Sequence, residues 1–195
     1  MTTLALTVTP ERATGRTAYR LALVVAGSLF VAAGAQFTIH LWFTPIPITG
    51  QTLAVLVVGA ALGAELGAMS LLLYLAEGAI GLPFFADGAH GWSLLTLSSG
   101  FGGYFWGFLA MAAVVGYLAK RGWDRSLRSA IGAMFVGEVV LYAIAIPWLA
   151  QAAHVSVQRA MVLGLYPFVI GDTLKLLAAA GLLPLAWRLV DRDHS

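Results

Sequence analysis

Cysteine is absent from this 195-residue chain, which removes disulfides, thiolate metal ligands and cysteine nucleophiles from consideration. Charge is nearly as scarce. Acidic and basic residues make up 10% of the chain, where a soluble domain carries about a quarter. The net charge of +2 is too small to hold a polyanion such as nucleic acid. Several catalytic signatures are missing too: no His-Glu-x-x-His, no Gly-x-Ser-x-Gly, and no Gly-x-x-x-x-Gly-Lys-Ser/Thr loop to cradle a nucleotide. What fills the chain is apolar. Hydrophobic residues make up 60% of it, more than one water-soluble core of this length can enclose. A lipid bilayer is the solvent that accounts for such a composition.

Breakers divide the chain into six apolar segments, roughly Ala18–Ile39, Thr49–Gly63, Leu66–Gly81, Ser99–Ala119, Ser129–Ala150 and Val169–Val190. The second and third are short for a span, which takes about 20 residues. None alternates apolar and polar residues as the strands of a membrane barrel do, so the expected fold is an all-α bundle of six transmembrane helices. The first segment has the length of a retained span rather than of a cleaved leader. Residues 1–17, with Glu11, Arg12 and Arg16, form a polar N-terminal segment, 18–190 the membrane domain and 191–195 a tail. With six spans, nine of the eleven lysines and arginines fall on the side of the two termini. Arg159 lies opposite, and Lys175 lies inside the sixth segment. Basic loops stay in the cytoplasm, so both termini are expected there, in a multi-pass cytoplasmic-membrane protein.

Charges inside the apolar segments are the candidates for chemistry, because each is costly in lipid. Asp172 and Lys175 stand three residues apart, on one helix face. They read equally as a neutralised pair holding the sixth helix in place or as a ligand site. As a site, the pair offers an acceptor and a donor side by side near a helix N-terminus, which suits a ligand with both N–H and C=O groups. Glu77 and Glu138 lack an adjacent base and read first as interfacial or packing groups. His40, His90, His154 and His194 lack the spacing of a metal site. Gly59, Gly63 and Gly67, Gly103 and Gly107, and Ala18, Ala22 and Ala26 recur every four residues, a spacing that lets helices approach closely.

Three stretches resemble the BioY family, the biotin-specific substrate-binding (S) components of energy-coupling-factor (ECF) transporters. They are Pro45-Ile-Pro-Ile-Thr-Gly-Gln-Thr-Leu-Ala54 after Gly34-Ala-Gln36; Leu73-Tyr-Leu75 with Gly78-Ala-Ile-Gly-Leu-Pro-Phe-Phe-Ala86 and Gly88; and Pro167-Phe168 through Gly171-Asp-x-x-Lys175. Gly100-Phe-Gly-Gly-Tyr104 and Pro147-Trp-Leu149 are lesser matches. The resemblance implies a six-helix S-component fold that binds biotin on its outer side through Asp172 and Lys175. Gln51, Tyr74, Phe85, Asp87, Tyr104 and Trp148 are the further biotin-binding residues expected from the resemblance, and Pro47, Gln51, Pro83, Gly102, Trp148 and Asp172 all fall near outer helix ends. Phe84–Gly88 is expected to cover the ligand, although Asp87 departs from the neutral residue of the family pattern. Tyr74, Tyr104 and Trp148 read either as an apolar wall for the ligand or as an interfacial belt. Ala18, Ala22 and Ala26 read either as packing residues or as the docking stripe for a transmembrane coupling protein that works with two ATPase subunits. No covalent chemistry, cofactor or metal is expected. An S component for another vitamin, an intramembrane enzyme using Glu77 or Glu138, and a structural subunit are the competing readings.

Overall fold

The computed structural model describes residues 3–6 and 13–192; Glu11, Arg12, His194 and residues 193–195 lie outside the described residues. Among the described residues, six α-helices follow in order: α1 (Ala13–Gln36), α2 (Gln51–Ala79), α3 (Gly102–Lys120), α4 (Leu127–Ala152), α5 (Val157–Gly164) and α6 (Val169–Arg192). Five of them, all but α5, are long and apolar enough to cross a membrane. Among the described residues, the only strands are β1 (Thr38–Ile39) and β2 (Ile48–Thr49), an antiparallel pair in the proline-containing loop after α1. The helix α1 starts at Ala13, within the polar N-terminal segment.

Helix α2 contains the second and third apolar segments, and the chain reverses inside it. Gly63 has φ 82° and ψ 174°, a conformation open to glycine and strained for other residues. The amide nitrogen of Gln51 lies 2.7 Å from the hydroxyl of Tyr74, whereas one straight helix would part these residues by roughly 34 Å. The element is therefore a helical hairpin whose limbs pack against each other. At 1.5 Å per residue the limbs rise roughly 18 and 24 Å, short of a hydrocarbon core about 30 Å thick. Both shortnesses follow from the reversal at Gly63.

Glycines make this hairpin and α3 into one tight layer. A methyl group at Gly67 would lie 3.1 Å from the Cα of Gly59, and one at Gly59 would lie 2.8 Å from the carbonyl oxygen of Ala112 on α3. A methyl at Gly116 of α3 would meet the backbone of Gly63 and Ala64 and stand 2.7 Å from the Gly59 carbonyl. Backbones meet here without side chains between them, the arrangement that replaces hydrophobic driving force when lipid is the solvent. The helix α1 lies along both limbs, with Gly34 against Gly50 and Ala54 and Gly27 against Ser70.

The two ends of the bundle have different contents. At one end, the hydroxyl of Thr3 donates to the carbonyl of Leu62 (3.4 Å), and Arg20 meets Glu65 (2.7 Å). Asp124, in the α3–α4 loop at the same end, is buried and accepts from the indole N–H of Trp187 at 2.6 Å. Burial pushes the Asp124 carboxyl up, and the Trp187 bond partly offsets this. The other end gathers the β1–β2 loop, the loop between α2 and α3, and α5. There Thr44 donates to the carbonyl of Leu163 (2.5 Å) and Tyr104 to that of Gly164 (2.6 Å). Each traverse thus alternates direction, as six segments require.

Because the atoms facing Gly116 are backbone, Gly116→Ala is expected to lower the thermal midpoint of the detergent-solubilised protein, at a cost of about 1–3 kcal/mol. A methyl at Gly181 of α6 meets nothing within 4 Å, so Gly181→Ala should leave the midpoint unchanged or raise it slightly. Equal midpoints for the two variants in a fluorescence melt would mean that the glycine layer is looser than described.

Candidate functional site

Asp172 enters the first turn of α6, where its backbone N–H bonds to the carbonyl of Phe168 at 2.7 Å. Its side chain is 7% exposed, and both carboxylate oxygens are engaged. Oδ1 accepts from the Lys175 ammonium at 2.8 Å, and Oδ2 accepts a short hydrogen bond from the Tyr142 hydroxyl of α4. A buried carboxylate is tolerated when it is paired and fully bonded, and the helix N-terminus favours its charge further. Lys175 follows on the same face with its side chain 17% exposed.

Asp172 borders a cavity at the loop-rich end, with about 500 Å³ of empty space including its mouth. The enclosed part is small, about 50 Å³, and lies tight against its lining side chains. Its wall is mostly apolar: Ile46, Pro47, Phe101, Phe105, Phe108, Leu141 and Phe168, with polar groups from Thr49, Gln51, Thr52, Tyr104, Tyr142 and Asp172. The elements supplying these residues come from all parts of the chain. The limbs of α2 bring Gln51 beside Tyr74, and α3 brings Tyr104, whose ring meets Tyr142 edge-on at 6.5 Å and lies 6.4 Å from Phe168.

The residues singled out from the sequence take three kinds of position. Gln51, Tyr104 and Asp172 line the cavity directly. Tyr74, Phe85 and Trp148 stand behind its wall. Tyr74 holds the Gln51 amide, and Phe85 is packed between Tyr74 and Phe105, with ring centroids 5.5 and 4.4 Å away. Gly78 is needed beneath it, because a methyl there would enter the Phe85 ring. Trp148 lies on Gly102 and Gly103 of α3 and donates its indole N–H to the carbonyl of Ser99 at 3.1 Å. Lys175 borders a neighbouring space under the β1–β2 pair, with Phe37, Thr38, Ile39, Ile48, Thr49 and Gly50.

Asp87 occupies a third kind of position. It is exposed, has φ 59°, and faces the β1 side rather than the cavity. Its carboxylate accepts from the Thr38 hydroxyl at 2.7 Å and meets the His40 ring at 2.9 Å. The Thr38 hydrogen bond first, and the His40 charge and hydrogen bond after it, hold the Asp87 carboxyl below the usual carboxylate range. Gln36 at the end of α1 adds amide bonds of 3.2 Å to the carbonyls of Phe84 and Phe85. The 84–88 segment is thereby tied over the cavity, where Ala86 joins the lining. Ala18, Ala22 and Ala26 are all exposed along α1, away from the bundle.

Tyr142 was not legible as a site residue. It is one aromatic in an apolar run, and only the packing of α4 on α6 aims its hydroxyl at Asp172. Phe101, Phe105 and Phe168 flank residues already singled out, yet nothing in their spacing tells a cavity wall from a lipid-facing ring. Glu77 finds a partner across the bundle, accepting a short hydrogen bond from Ser28 of α1.

The model of the BioY family matches residues 6–192. The biotin transporter BioY of Rhizobium etli is 38% identical over 160 residues, covering 78% of this chain and 84% of that protein. The probable biotin transporter BioY of Pyrococcus horikoshii is 34% identical over 151 residues, covering 76% and 85%. In three dimensions the fold matches the crystal structure of the S component for biotin from an ECF-type ABC transporter, with a TM-score of 0.80 at 20% identity, over 91% of this chain and 95% of that one. With the family model spanning nearly all of the described bundle, this chain belongs to the BioY family.

Proposed function

We propose that this protein binds biotin in the cavity beside Asp172 and carries it inward across the cytoplasmic membrane, with its termini in the cytoplasm. The observation that supports this reading most is the buried Asp172 carboxylate, held by Lys175 and Tyr142 at the edge of an apolar cavity. Biotin presents a ureido group with two N–H donors and one carbonyl acceptor, joined to an apolar ring and chain. The carboxylate of Asp172 accepts from ureido N–H groups. The Lys175 ammonium, adjacent to it, is the donor for the ureido oxygen once it turns from its present partner. Phe101, Phe105 and Phe168 offer apolar surface to the ring and chain, and the Gln51 amide, oriented by Tyr74, supplies a further polar contact. Names of relatives that are biotin transporters, and the biotin S-component fold, support the choice of ligand.

The family role adds partners. An S component works with a transmembrane coupling protein and two ATPase subunits, and this chain has no phosphate-binding loop of its own. The exposed Ala18, Ala22 and Ala26 give α1 a flat stripe suited to close helix docking. Their end of α1 carries Arg16 and Arg20, on the basic side of the bundle.

Calorimetric titration of the purified protein should show saturable one-to-one biotin binding and no response to thiamin or riboflavin. Asp172→Ala and Lys175→Ala should each weaken biotin at least about 30-fold, since removing one partner of a buried, bonded pair costs about 2–5 kcal/mol. Unchanged affinity in both folded variants would remove the site. For the lid, Asp87→Ala should speed biotin dissociation at neutral pH and raise hydrogen exchange across residues 84–89. The Asp87 contact is present above the ordinary carboxylate range and is lost as pH falls through its lowered value. Mild acid should therefore leave the lid tied down, with loosening only below that range. In contrast, Ala22→Trp should leave biotin binding intact while abolishing co-purification with the coupling protein.

A further inference from the structure

Two carboxyl groups are buried near Lys175, and the binding site described above uses only one. The second is Glu138 of α4, one turn before Tyr142. It is 7% exposed, and neither carboxyl oxygen has a hydrogen-bond partner among the described residues. It borders an open cleft between α4 and α6, about 420 Å³ in volume, whose lining also includes Tyr142 and Asp172. Phe135 and Val139, exposed on α4, mark the open side of that cleft.

Helices α3, α5 and α6 and the rest of α4 surround Glu138 with few charged or titratable groups. From α6, Asp172 and Lys175 act on it electrostatically, the first repelling and the second attracting its carboxylate. On α4 itself Tyr142 intervenes, with its hydroxyl committed to Asp172. Helix α3 contributes Tyr104, edge-on to Tyr142 and bonded to the Gly164 carbonyl. Arg159 of α5 is exposed. Two carboxyls thus share one ammonium, and that ammonium sits 2.8 Å from Asp172 Oδ1. Glu138 is left without a counter-ion in a region where an unpaired carboxylate is strongly disfavoured. A proton on Glu138 removes the surplus charge.

We propose that Glu138 is a proton-binding group that controls this site: protonated, it leaves Asp172 and Lys175 to the ligand, and ionised, it competes for the Lys175 ammonium and weakens ligand binding. The step is the loss of one proton from the Glu138 carboxyl to water, with no other bond made or broken. Its ligand rests on the biotin reading above; its proton does not. Affinity should accordingly fall as pH rises, by up to about tenfold per pH unit over the range in which Glu138 ionises. Binding is then favoured on the more acidic side of a membrane and release on the more alkaline side.

The test is calorimetric titration of biotin from about pH 5 to about pH 9, in paired buffers of different ionisation heat, for the wild type, Glu138→Gln and Glu138→Asp. The expected result is that the wild type takes up protons on binding and loses affinity with rising pH. Glu138→Gln keeps tight binding without either effect, and Glu138→Asp retains both. A second readout needs no ligand: infrared difference spectra of the free protein across the same range should show a carboxyl band that titrates and is missing in Glu138→Gln. An unchanged pH profile and proton count in Glu138→Gln would overturn the proposal. If biotin binds at no pH, the biotin reading fails, and the infrared titration alone then decides: absence of a titrating band removed by Glu138→Gln overturns the proton site.

Discussion

Where Gly59, Gly67 and Gly116 meet, three helical segments approach to backbone contact, and the rest of the molecule is arranged around that approach. Apolar side chains gain nothing by leaving lipid for one another, so packing and backbone proximity must hold helices together in a bilayer. With no side chain between them, the limbs of α2 and the helix α3 form one layer. Its loop-rich end then carries Gln51, Tyr74 and Phe105, with the ring of Phe85 joining Tyr74 to Phe105. Reversal at Gly63 is the second half of the same constraint, because only glycine adopts its φ of 82° freely.

Function-bearing polarity is placed where that layer ends. Asp172 is admitted into an apolar bundle because three favourable terms coincide: an adjacent ammonium, a tyrosine hydroxyl and a helix N-terminus. Glu138 has none of these as a direct partner and remains the unmatched charge of the region. A ligand that bonds to Asp172 and Lys175 must therefore reckon with a second carboxyl, which links occupancy of the cavity to protonation. The lid follows a different logic. Asp87 and His40 are exposed and Thr38 is half-buried, so their contacts are weak individually, and Gln36 supplements them from the end of α1. Weak, exposed ties suit a cover that opens and closes, whereas the buried pair beneath suits a fixed recognition point.

Six apolar segments, the breakers between them and the uneven distribution of lysine and arginine are properties of the linear sequence, because lipid imposes length and composition on each span separately. They determined the all-helical, six-segment bundle, and Asp172 with Lys175 stood out because ionisable residues are rare in such runs. The short second and third segments were visible, but not why they are short. That was decided at Gly63, where the chain turns back without a loop. Helix α5 and the β1–β2 pair, both outside the spans, likewise left no sharp mark in the apolar pattern. The tertiary structure alone decided which aromatics face a cavity, that Tyr142 completes the bonding of Asp172, that Trp148 packs on the glycines of α3, and that Asp87 points toward His40. Each of these depends on which helix faces which, and residues 30 or more positions apart carry no spacing signal of their contact. Composition and motif recorded what the bilayer demands of every helix; packing alone recorded what the helices demand of one another.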